Sequence, residues 1–63
     1  MPIIEVNLFE GRSAQQKQDL IVGLTQATAL ALGVPTDNIR IIIRELEKEN
    51  FGIGGKTALE LGR

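Results

Sequence analysis

The feature that most constrains this chain is a single helical stretch, fenced at both ends, between two runs of β-branched residues. From Ala14 to Leu32 the apolar residues recur at helical spacing, through Leu20, Ile21, Leu24, Ala27, Thr28 and Ala31. Gln15, Gln18, Asp19 and Gln26 occupy the opposite side. Ser13 stands at the start with Gln16 three residues on, the spacing of a reciprocal capping box. Gly33 is the expected left-handed stop, and Pro35 blocks resumption of the helix. Before the helix, Ile3 to Phe9 reads as a strand, with Ile4, Val6 and Leu8 on one face and Ile3, Glu5, Asn7 and Phe9 on the other. After it, Thr36-Asp37-Asn38 is turn chemistry, and Ile39 to Leu46 reads as a second strand. A strand, a helix and a strand in that order make a βαβ unit with parallel strands and a right-handed crossover.

Beyond Asn50 the sequence Phe51-Gly52-Ile53-Gly54-Gly55-Lys56 predicts a short hairpin or hook. It is too short to be stable unless it packs on another subunit. The glycines lack phosphate-loop spacing and do not lead from a strand into a helix. The fold class is therefore α+β, a βαβ unit with a C-terminal hairpin, in one domain spanning 1–63.

Size bears on assembly. A domain of 63 residues buries only about 60% of its unfolded surface and is marginal alone. It has no Cys for disulfides or thiolate zinc and no His, and 43% of its residues are hydrophobic. Oligomerisation is the remaining staple. Pairing two copies would give a four-stranded sheet with two helices on one face, and the mixed face would lie against further subunits.

Charge and residue types exclude several functions. A net charge of −1 offers no footprint for nucleic acid or an anionic membrane. No apolar run approaches the roughly 18 residues of a membrane span, and the start lacks a secretory signal pattern. A cytoplasmic location is the expectation. Without His or Cys there is no Ser-His or Cys-His nucleophile, and without Tyr no phenolic acid.

One base near neutral pKa remains. The residue after Met1 is small, a setting in which the initiator methionine is trimmed. Trimming would leave Pro2 with a free secondary amine, a base and a nucleophile. An α-amino group titrates near pH ~7.7–8.0, close to what general acid–base catalysis wants. The plainer reading is that Pro2 stiffens the start of a strand.

The arginines also carry two readings. Arg12 precedes the helix cap, where the dipole mildly disfavours a cation; it is a solvated loop residue or, with the helix N-terminus, an anion site. Arg40 and Arg44 share the mixed face of the second strand. Each is a surface cation paired with Glu5 or Glu45, or a planar fork for a carboxylate. Phe51 is a packing anchor or the apolar wall of a charged site.

In order and spacing these residues resemble the 4-oxalocrotonate (2-hydroxymuconate) tautomerase family of the tautomerase superfamily. The resemblance runs over essentially the whole chain. It rests on Met1-Pro2, Glu10-Gly11-Arg12-Ser13, Gln16-Lys17, Pro35, Arg40-Ile41-Ile42-Ile43 and Asn50-Phe51-Gly52-Ile53-Gly54-Gly55.

The resemblance implies a homohexamer, a trimer of dimers with active sites at subunit contacts. It implies an isomerase of aromatic hydrocarbon catabolism that converts 2-hydroxymuconate-type dienols to conjugated 2-oxo acids. Pro2 would be the general base and then the acid. Arg12 would hold the distal carboxylate of a dicarboxylate substrate. Arg40, from a neighbouring subunit, would bind its 2-oxo and C1-carboxylate end, and Phe51 would keep the amine's surroundings apolar. No metal or organic cofactor is implied.

Phe9 and Asn38 lie near the implied pocket and depart from the leucine and serine of the family's best-known member. They are further candidates for substrate binding and bear on substrate preference. Arg44 replaces a threonine, at a position that suits an interface. Two rival readings stand beside this one. One is a hydratase-type dehalogenase of the same superfamily, which needs a water-activating carboxylate that the chain does not obviously supply. The other is a non-catalytic oligomeric module that binds a small carboxylate or a protein.

Overall fold

The structure, a computed structural model, describes residues Met1–Arg63. Its elements are β1 (Ile3–Phe9), α1 (Ala14–Leu32), β2 (Arg40–Leu46), β3 (Gly52–Ile53) and β4 (Lys56–Thr57). Short 3₁₀ turns at Thr36–Asn38 and Lys48–Asn50 link them. The α+β class and the βαβ order are as the sequence predicts. β1 and β2 pair in parallel from Ile3 opposite Arg40 to Phe9 opposite Leu46.

The caps that delimit α1 form as expected. The Ser13 hydroxyl accepts from the Gln16 N–H at 3.1 Å, and the Ser13 N–H donates to the Gln16 side chain at 3.0 Å. Two otherwise orphaned donors are satisfied, worth about 1 kcal/mol. Gly33 takes φ 66°, and its N–H reaches back to the Ala29 carbonyl. Gly54 and Gly55 sit at φ 61° and 90° between β3 and β4, a pair of positive φ values that suits a two-residue hairpin turn.

Two details differ from expectation. Ile39 stays outside β2 because the 3₁₀ turn captures its N–H on the Thr36 carbonyl. It is also one of only two buried residues, at 8% exposure; the other is Ala58. The inward stripe of α1 is narrower than its apolar spacing predicts. Leu20, Leu24 and Thr28 are half-buried, whereas Ile21, Ala27 and Ala31 are exposed. A helix with apolar residues on more than one side needs more than one partner, and this chain offers only one sheet face.

The chain is far from compact. Its radius of gyration is 14.7 Å, where a 63-residue globule would have roughly 11 Å. It measures 42 × 24 × 13 Å. Its accessible surface is 4681 Å², against roughly 4000 Å² for a monomer of this mass. The helix covers one face of the sheet, and Lys17 fastens it by an ion pair to Glu45 at 2.9 Å. On the other face the bend after β2 returns only far enough for Phe51 to meet Phe9, with ring centroids 5.3 Å apart and edge to face.

Candidate active site

The parallel register sorts the candidate residues to opposite ends of the sheet. Pro2 and Arg40 begin the two strands side by side, and the Arg40 N–H donates to the Pro2 carbonyl at 3.1 Å. Pro2 is half-buried, and Met1 ahead of it is exposed. The Arg40 guanidinium donates at 2.6 Å to the carbonyl of Asp37, in the turn that also carries exposed Asn38. Pro2, Arg40 and Asn38 thus share one end.

Arg12, Phe9 and Phe51 share the other. Arg12 is exposed beside the cap of α1, where the chain turns through Gly11 at φ 119°. Its guanidinium has one long contact, 3.4 Å to the Phe9 carbonyl, which leaves most of its donors free. Phe9 packs on Phe51, and the Lys48 ammonium stands 6.0 Å from the centre of the Phe9 ring. Lys48 is absent from the sequence-based candidates. It lies in the polar run after the second strand, and only the fold places it over an aromatic ring.

Six residue steps along β1 separate the two ends, roughly 20 Å of strand. One chain therefore does not bring Pro2 within reach of Arg12 or Phe51. The expected surface pairing of Arg40 with Glu5 or Glu45 is also absent. Glu5 pairs with Arg44 at 2.8 Å, and Glu45 with Lys17. Arg40 is left with its carbonyl contact and solvent.

A shallow groove of about 320 Å³ opens at the Arg12 end between Glu10, Glu47, Lys48, Glu49 and Leu59. Three carboxylates against one ammonium make it a poor receptor for a dianion, so it is not where the candidate anion chemistry belongs. Crowding shows on Glu47, whose pKa is raised by a hydrogen bond with Glu49 and then by the charges of Glu10 and Glu49. A carboxyl whose folded pKa is raised favours the folded state at low pH, and that contribution fades as pH rises through the folded value. Glu47→Gln is accordingly expected to raise the melting temperature at pH 7, with the gain shrinking as pH falls below the carboxylate range. Melting curves across pH check this; a gain independent of pH would contradict it.

A family model described as "Tautomerase enzyme" matches residues 2–58. The chain belongs to the tautomerase family. This tautomerase is 44% identical to a 2-hydroxymuconate tautomerase of Comamonas testosteroni, over the full length of both chains. A solved 4-oxalocrotonate tautomerase isozyme of Methylibium petroleiphilum superposes with a TM-score of 0.91 at 45% identity, covering 98% of this chain and 100% of the other. A heterohexameric 4-oxalocrotonate tautomerase of Chloroflexus aurantiacus gives 0.90 at 36% identity, covering 97% and 98%. The tautomerase is an isomerase, so its chemistry relocates a proton and a double bond within one molecule. No helix in it is long and apolar enough to cross a membrane.

Proposed function

We propose that this tautomerase converts 2-hydroxymuconate-type dienols to conjugated 2-oxo acids, using the amine of Pro2 once Met1 has been removed. The observation that carries the reading is the full-length 44% identity to a 2-hydroxymuconate tautomerase. In the proposed reaction the Pro2 nitrogen takes the proton of the 2-hydroxyl group. The oxygen's electron pair becomes the carbonyl, the diene shifts, and the protonated amine returns the proton to a diene carbon. Product and substrate are isomers, and the base is regenerated.

The remaining roles follow from charge. Arg12 holds the distal carboxylate with donors that the chain leaves free. Arg40 of a neighbouring subunit holds the C1 carboxylate and 2-oxygen. Fixing both ends positions the diene against the base, and the same cations stabilise the dienolate. Nearby guanidinium groups disfavour a protonated amine. Phe51 and Phe9 supply apolar wall, and Asn38 borders the Arg40 end. The separation of Pro2 from Arg12 in one chain supports a site that forms between subunits. A homohexamer fits that arrangement, with support from the extended shape of the chain and from the heterohexameric relative. We place the enzyme in the cytoplasm, in the breakdown of aromatic compounds.

Ultraviolet absorbance of 2-hydroxymuconate tests the reading, on protein whose first residue is established by intact mass. Pro2-started protein is expected to accelerate ketonisation, and Met1-retained protein is not. Equal rates from both forms would remove the Pro2 amine from the mechanism. No rate from Pro2-started protein would rule out this substrate.

A further inference from the structure

On the sheet face away from the helix, the parallel register sets residues in rows. Ile3 stands beside Arg40, Glu5 beside Ile42, Asn7 beside Arg44 and Phe9 beside Leu46. Only the last row is covered, where Phe51 packs on Phe9. The other three rows are bare, with Ile3 57% and Ile42 40% exposed. Across them runs one diagonal contact, a 2.8 Å ion pair from the Arg44 guanidinium to the Glu5 carboxylate, each about half exposed. Two isoleucines flanking an opposed pair of charges make a surface that is apolar enough to leave water and polar enough to demand one alignment.

We propose that Glu5 and Arg44 align this face against a second copy of the same chain, their charges meeting across the subunit contact as well as along the sheet. The proposal rests on the oligomeric reading above and names the residues that set its geometry. Charge complementarity argues for a like partner. The pair supplies one anion and one cation, so a copy facing a copy can set Glu5 against Arg44 in both directions. The remaining cation of the face, Arg40, is drawn to the Asp37 carbonyl at the end row. An exposed pair contributes little to the isolated chain. Once water is excluded, removing either partner strands the other charge, which is far more damaging. The pair therefore matters to assembly more than to folding.

The test compares Glu5→Gln, Arg44→Gln and the double reversal Glu5→Arg/Arg44→Glu with the unaltered protein. Sedimentation over a dilution series reads the concentration at which the assembly dissociates, and far-ultraviolet circular dichroism reads the fold. Each single variant is expected to raise that concentration by at least roughly tenfold with its helix intact. The double reversal is expected to restore most of the loss. Two results would overturn the proposal: single variants that dissociate like the unaltered protein, or a double reversal that fails to assemble better than the singles. Ketonisation by the unaltered protein, measured alongside, reports separately on the proposed activity.

Discussion

Pro2→Ala should lower kcat/KM for 2-hydroxymuconate by roughly 10²–10⁴-fold, the range that a positioned acid–base group supplies, without unfolding the protein. Alanine is small enough for Met1 still to be trimmed, so the variant keeps a terminal amine. It loses the ring that holds the nitrogen in one orientation at the mouth of β1. The fold should survive because the main-chain bond from the Arg40 N–H is to the carbonyl of residue 2, which alanine retains. Steady-state kinetics with a circular-dichroism control check both halves. Full activity would take Pro2 out of the mechanism.

Arg40→Ala should be nearly as damaging, with a loss of roughly 10²-fold in kcat/KM, or about 2.7 kcal/mol of transition-state stabilisation. KM and kcat should both worsen, since the proposed contact binds the substrate carboxylate and also stabilises charge developing on the 2-oxygen. Arg40→Lys should recover only part of the loss, because an ammonium cannot offer two parallel donors to a carboxylate. Arg40 is exposed, and its guanidinium contacts only the Asp37 carbonyl, so its removal should cost the fold little. Unchanged kinetics would return it to the status of an ordinary surface cation.

Local chemistry made most of the fold legible in the sequence. Ser13, Gln16 and Gly33 fixed both ends of α1 because caps act over three or four residues and need no tertiary partner. The alternation of β1 likewise gave its bounds, Ile3–Phe9. Where tertiary packing decides, local pattern carries no information. Ile21 belongs to the apolar spacing of the helix yet is 40% exposed, since periodicity reports which residues are apolar and not how many partners will cover them. Ala58, fully buried, gave no signal because a small residue in a short C-terminal stretch has no periodicity to read.

The candidate site was legible as residue types, not as geometry. Arg12 and Arg40 stood out because a cation suits poorly the places they occupy in the chain, and Pro2 because trimming of Met1 would free its amine. Their division between the two ends of the sheet depends on the strand register, which alternation alone does not fix. The pairing of Arg44 with Glu5 was among the readings the sequence offers, whereas Lys17 as the partner of Glu45 was not. Which cation lies nearest a carboxylate depends on the diagonal across β1 and β2, and on where the first turn of α1 lands.

That division has a consequence for how the protein varies. With base and distal cation beyond opposite ends of a strand roughly 20 Å long, every subunit in the proposed assembly belongs to two workplaces at once. A change at Asn38 would be felt beside its own Arg40, in a pocket whose base a neighbour supplies, and a change at Phe9 at the opposite end of the sheet. An isolated copy owns two half-tools and no complete one. Activity would then be a collective property, set by how many copies are present to find each other.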